Sequence, residues 1–319
     1  MTTIDKPGIY VGIPESVYHS DPCPAPSLSN SIAKILYNQT PGHAWWAHPR
    51  LNRSKALEIE QSTKTQLTGT VLHALILGQG RPIKVLSHKD YKTNAAKEAR
   101  DKAIEAGEVP ILEHAMIELE ATARNARARI AQTDIADLFD EGEAEVTMVW
   151  QEDNGVWCRA RIDWLPAAAR DGGHIIVPDI KTASGSAHPD AWQRTMFDFG
   201  ADIQAAFYER GLRKLIPNIR SVEFPFVVIE QEEPNAVSVC KASNEALEMA
   251  HDVVDLAIRS WGELLKKGTS LEHWPFYDTG IAVIDPPVWR KMAGELLRMR
   301  MQDRIAHWQR PLDMDAPRT

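Results

Sequence analysis

Hydrophobic and polar positions change period along this chain, and the changes mark its elements. The opening forty residues are rich in proline and serine, until an apolar-periodic run, IAKILY, predicts a helix reaching about Tyr37. Ser27, Ser29 and Asn30 are each suited to cap it. The polar stretch 52–69 predicts a loop, and GTVLHALILG a short helix that is apolar on every side except at His73. Residues 89–132 predict two long charged helices separated by Gly107 to Pro110.

From about Glu143 the period becomes two. EVTMVWQE and VWCRARIDWL flank Asp153-Asn154-Gly155, a hairpin turn because Asn-Gly tolerates positive φ. HIIVPDIKT predicts a third strand, and a helix over about 190–214 follows. VEFPFVVIEQ and AVSVCKA then predict strands, and 244–267 a helix. A last amphipathic helix covers about 288–307. The order predicts one α/β domain with a mixed sheet.

Strand alternation fixes which side chains share a face. Arg159, Arg161 and Asp163 point one way in VWCRARIDWL, and Asp179 and Lys181 share a face in HIIVPDIKT. Two carboxylates and an ammonium on a common surface suit a divalent cation. Hard oxygen ligands favour magnesium or manganese over zinc. The same spacing equally fits a plain cross-strand ion pair. Gln204 and Tyr208, four apart, share a helix face from which polar tips could reach a phosphate or a water, or simply pack.

Composition narrows the classes. The three cysteines are widely spaced with no CxxC pair, which argues against a disulfide framework, a zinc site or an iron–sulfur cluster and fits a reducing cytoplasm. No signal peptide or membrane-length apolar run is expected. The net charge of −8 neither supports nor excludes a polyanionic partner, because a binding groove is a local arrangement.

The series GTVLH (69–73), RIDWL (161–165), PDIKT (178–182) and QAAFY (204–208) resembles the RecB-like branch of the PD-(D/E)XK nucleases. GIPESVYHSDPCPAPSLSNSIAKIL is similar to the start of RecE-type, exodeoxyribonuclease VIII-like domains carried by prophages. The resemblance implies a restriction-endonuclease-like core with a central mixed sheet flanked by helices. It implies Asp163, Asp179, the Ile180 carbonyl and His73 as ligands of Mg²⁺ or Mn²⁺, with Lys181 catalytic and Gln204 and Tyr208 supporting. His73 without the family reads rather as a satisfied core histidine. Asp179 stands where relatives carry Glu, and the loop PAAARDGG between the two acids is longish.

The expected organisation is a DNA-end-contacting segment over 1–66, a nuclease core over 67–270 with a helical insertion at about 89–132, and a helical tail over 271–319. Ser27 and Ser29, at a helix N-terminus, are candidate phosphate contacts or simple caps. Arg50 and Arg53, with Lys55 and the tryptophans Trp45 and Trp46, either grip DNA or belong to a core. Arg159 and Arg161 either touch the scissile strand or balance Asp163.

The implied activity is processive 5′-to-3′ digestion of linear duplex DNA, leaving 3′ single strands for recombination with a single-strand annealing protein. A homo-oligomeric ring, trimer or tetramer, is implied as well; Val288, Met292, Leu296, Leu297 and Met299 offer a stripe for a neighbour or for the chain's own sheet. Two readings compete: a CRISPR-adaptation-type nuclease, whose relatives usually carry four cluster cysteines, and a nuclease-fold DNA-binding or assembly protein without activity.

Overall fold

The computed structural model describes residues 3–54 and 64–308. Lys55 and half of the loop expected over 52–69 lie outside the described residues, and its last six residues are helical instead. The N-terminal part contributes β1 (Gly8–Tyr10), α1 (Glu15–His19), β2 (Leu28–Ser29), α2 (Asn30–Asn38) and α3 (Pro41–Ala47). The residue capping α2 is Ser29, whose hydroxyl accepts from the Ile32 amide at 3.4 Å. The apolar helix that carries His73 is α4 (Lys64–Leu77).

Between 83 and 130 the charged pattern hid two strands. β3 (Ile83–Leu86) and β4 (Val109–Leu112) pair in parallel around α5 (Asn94–Glu105), and α6 (Glu113–Ile130) follows. A parallel pair needs a crossover, and α5 supplies it.

β5 (Gly142–Gln151) and β6 (Trp157–Pro166) form the expected antiparallel hairpin, with Gly155 at a φ of +85° in its turn. The strands expected over 174–182 and 222–231 are each broken. β7 (Gly173–Ile176) is followed by β8 (Asp179–Ala183), and β9 (Ile219–Glu223) by β10 (Phe226–Glu230). β7 pairs with β9 and β8 with β10, both in parallel. Pro178 and Pro225 interrupt the two strands at the same level, where proline has no N–H to donate. Val177 N still reaches Glu223 O and Asp179 N reaches Pro225 O, each at 2.9 Å, so the ladders continue on either side.

The single helix expected over 190–214 is likewise two, α7 (Pro189–Asp198) and α8 (Ala201–Leu215). They part at Gly200, whose φ of +61° favours a residue without Cβ. β11 (Val237–Cys240) and α9 (Asn244–Lys267) close a unit running from Met1 to Phe276.

The strands hydrogen-bond in the orders β1-β5-β6-β2 and β11-β10-β8, and β8 lies beside β6. Together they make a mixed central sheet flanked by helices. Trp150 and Phe207 meet at 5.0 Å where α8 crosses the hairpin, and Gly211 is needed there: a Cβ would come within 2.8 Å of the Trp150 ring. Leu28, Ile32, Ala33 and Ala44 enter this same core with Met148, Ile162 and Trp261. The N-terminal segment therefore helps to build the core. The second unit, Tyr277–Thr319, carries α10 (Val288–Trp308), the expected last helix. Among the described residues no helix is long and apolar enough to cross a membrane.

A buried ionic network ties the N-terminal part to β6. Asp21 Oδ2 accepts from Ser27 N at 2.9 Å, and Asp21 Oδ1 from the Ser27 hydroxyl at 2.7 Å. Arg159 Nη1 lies 3.3 Å from Asp21 Oδ1 and donates to the Ser27 carbonyl and hydroxyl. His48 Nδ1 accepts from Arg50 N, so its other nitrogen carries the proton toward Ser27 O and Asp21. Burial opposes ionisation of Asp21, but Arg159 and then His48 outweigh it and hold the carboxyl at about 2. Removing one member leaves the others buried and unpaired. Asp21→Asn should cost about 3–5 kcal/mol of stability in urea unfolding at pH 7. Asp21 is depressed from an unfolded value of about 3.9, so its contribution is present above that value and lost as pH falls toward about 2. The substituted chain should lack that part of the acid dependence.

Candidate active site

The site forms where α4, β6, β8 and α8 meet. α4 lays Leu72 and Ile76 against Ile180, Val227 and Ile229, and sends Val71 toward Val109 and Leu119. With its apolar positions so engaged, the helix turns His73 to the sheet, and His73 Nδ1 lies 3.6 Å from Asp163 Oδ2. That oxygen also accepts the Ile180 amide at 3.1 Å. One carboxylate thus joins the helix to both strands, where β6 and β8 share no backbone ladder.

Asp179, fully buried at the start of β8, is held from α8: Gln204 Nε2 donates to its Oδ1 at 2.8 Å. Its Oδ2 stands in close ion contact with the Lys181 ammonium. Lys181 also lies over the Phe226 ring, 5.8 Å from its centre. Burial, and next the Asp179 charge, push the Asp163 carboxyl up to about 6. Burial works against the Lys181 charge, but Asp179 and then Asp163 outweigh it and hold the ammonium above the ordinary lysine range.

His73, Asp163, Asp179, Ile180 and Lys181 are therefore brought together. Gln204 and Tyr208 adjoin them, but not with free polar tips. The Gln204 amide is committed to Asp179 and orients that carboxylate instead of reaching outward. Tyr208 is 7% exposed and packs edge-on against Phe224 at 5.6 Å. Burial pushes its phenol well above its ordinary value.

Most of the expected phosphate contacts are turned inward too. Ser27 and Arg159 are buried in the Asp21 network, and Ser29 is spent as the α2 cap. Arg161 pairs with Glu145 and donates to Ile13 O at 3.0 Å, and the Tyr18 ring lies under it. Arg50 donates to the carbonyls of Cys23 and Pro24. In each case a nearer internal acceptor takes the donor. Arg53 is exposed. Trp46 is exposed, and the half-buried Trp45 packs against the main core with its indole donating to Thr269 O at 2.7 Å.

Two features escaped the sequence reading. Asp21 and His48 gave no signal, since their partners lie far along the chain. Lys34 did give one, as the charged residue within IAKILY. Its ammonium donates to Phe199 O at 3.0 Å. Burial and then the Lys181 charge lower its pKa, against Asp179 and Asp202.

Among the described residues no three His, Cys, Asp or Glu side chains are gathered as a preformed metal cage. The donors present fit a different kind of ion. Two carboxylates, one with a buried oxygen whose contact is the Lys181 ammonium, suit a cation that binds through one or two acids and keeps several waters, as magnesium does.

The pattern of a family described as "PDDEXK-like domain of unknown function (DUF3799)" matches residues 52–280. Among solved structures the chain is similar to a "Putative exonuclease" from Eubacterium rectale. The two are 13% identical, with 86% of this chain and 93% of that chain covered at a TM-score of 0.49. It is also similar to a "phage related exonuclease" from Haemophilus somnus 129PT, 15% identical, with 61% of this chain and 94% of that chain covered at a TM-score of 0.27. No curated protein sequence matches it.

The raised Asp163 has a consequence for stability without metal. A carboxyl whose folded value, about 6, exceeds its unfolded value favours folding most when protonated, and that contribution is lost as pH rises through 6. In chelator at pH 8, Asp163→Asn should therefore be more stable than the parent by roughly 1–3 kcal/mol in urea unfolding, with the gain gone at pH 4. Equal stabilities at pH 8 would refute the charge conflict.

Proposed function

The chain belongs to the PDDEXK-like family, and on that premise we propose that it is a divalent-metal-dependent exodeoxyribonuclease that hydrolyses phosphodiester bonds of linear double-stranded DNA. The observation that carries the reading is the buried Asp179 beside the half-buried Asp163, with Lys181 between charge and solvent. Nucleases of this class generally use divalent metal ions. The acids, with the Ile180 carbonyl and His73, would hold one that lowers the pKa of a bound water and polarises the phosphoryl oxygen.

The chain's own residues do the rest. Lys181 supplies a fixed positive charge where negative charge builds on the phosphate. Gln204 holds Asp179 through Oδ1 and leaves Oδ2 to the Lys181 ammonium or to an arriving cation. Asp163, held by the Ile180 amide, cannot swing away from β8.

The finer reading, 5′-to-3′ and processive digestion that leaves 3′ single strands for an annealing protein, rests on the RecE-type resemblance. So does a ring of three or four copies, in which subunits would pool cations that a chain of charge −8 must concentrate on one surface. Light scattering at micromolar concentration checks the ring, and a monomeric mass would remove it.

Linear duplex should be degraded with magnesium or manganese, whereas calcium should support binding without turnover and excess chelator should stop cleavage. Closed circular duplex should survive. Lys181→Ala should lose well over tenfold in rate while still binding DNA and metal, because its task lies at the transition state. Asp179→Asn should lose metal affinity as well. A Lys181→Ala chain keeping more than about a tenth of the parent rate would overturn the assignment of that residue.

A further inference from the structure

Two aromatic rings stand in solvent where α7 ends, Phe197 in its last turn at 48% exposure and Phe199 in the turn to α8 at 72%. Single exposed apolar side chains are ordinary. These stand beside the candidate site. Lys34 Nζ donates to Phe199 O at 3.0 Å, Gln204 N to Gly200 O at 3.1 Å, and Gln204 Nε2 to Asp179 Oδ1 at 2.8 Å. Phe199 is thus next to the residue that lies one helical turn from the holder of Asp179. Gly200 makes the arrangement possible. A Cβ there would come within 2.8 Å of Lys34 Cδ, and its φ of +61° disfavours a side chain anyway.

The charge beside the rings is mixed but directed. Lys34 and Lys181 feel each other, so a cationic field spans from the turn to the acids. Asp202 also stands near Lys34, and burial pushes its carboxyl up. An exposed aromatic face next to a half-buried ammonium is what an unpaired nucleic-acid strand needs. Every base offers a π-face, and every base is followed by a phosphate.

We propose that Phe199 and Lys34 form a nucleotide subsite flanking the scissile phosphate. The Phe199 ring stacks on a base of an unpaired strand, and the Lys34 ammonium leaves the Phe199 carbonyl to pair with the adjoining phosphate. The subsite rests on the nuclease reading above. It assigns a ligand class, single-stranded DNA at the opened end of a duplex, to residues outside the four motifs.

The test uses the full chain and a short phosphorothioate single strand carrying 2-aminopurine, with calcium present. Stacking quenches the probe, so the parent chain should dim it on binding. Phe199→Ala should abolish the quench and weaken binding about tenfold, and Phe199→Trp should restore both. Because Phe199 is exposed, these changes leave the fold intact. Lys34→Gln should weaken binding and lower the slope of log affinity against log salt by about 0.7, the share of one single-strand phosphate.

Unchanged quench and affinity in Phe199→Ala would overturn the stacking role. Weaker binding by Lys34→Gln with an unchanged salt slope would reduce Lys34 to a tether of the α7 end. A Phe199→Ala chain that changes solution mass but not DNA affinity would assign the ring to a protein contact and sink the subsite. Cleavage of linear duplex in magnesium is followed in parallel with the parent chain. If the parent cuts and Phe199→Ala binds like it, the subsite falls and the nuclease reading stands. If the parent dims the probe and cuts nothing, the nuclease reading falls alone.

Discussion

Two carboxylates held in one poorly solvated place make the central constraint of this molecule. Burial, and next the Asp179 charge, raise the cost of ionising Asp163. Everything around them offsets that cost without removing it. Asp163 receives the Ile180 amide, Asp179 receives Gln204, and Lys181 faces both. A site at rest under like-charge repulsion is one that gains most from an arriving cation. The fold stores the conflict because each acid is anchored by an element that is itself fixed by apolar packing.

That anchoring explains why the chain is built with breaks. Pro178 ends one ladder just before Asp179, and Pro225 ends its partner at the same level. β8 can therefore begin afresh beside β6, leaving Asp163 to bridge them through a side chain. Gly200 ends α7 so that α8 can start one turn ahead of Gln204. Each break coincides with a residue that reaches the acids. Strands and helices uninterrupted at these points would carry the same side chains along different axes.

On the other side of β6 the Asp21 network does complementary work. It neutralises Arg159, which alternation places on the same face as Asp163, and seats α2 against the sheet. The position of α2 in turn carries Lys34 to the turn at Gly200. The N-terminal segment reaches the site through packing, and its serines and arginines are mostly consumed in that task.

The sequence by itself determined the local periods and the motif order. Hairpin, buried helix and the Asp163, Asp179 and Lys181 set were legible because period-two alternation and i,i+4 spacing are local properties. Gly200, Pro178 and Pro225 were legible as breakers too, although the strands and the helix were read straight through them. What only the tertiary structure decided was the partner of each polar group. Ser27, Arg50, Arg159 and Arg161 look like free phosphate contacts along the chain, and Gln204 and Tyr208 like reaching tips. Their acceptors or packing neighbours lie up to 148 residues away. A donor binds whichever acceptor the fold brings nearest, and leaving a buried donor unpaired is costly. No spacing rule encodes that choice, because it is made by the packing of the whole core.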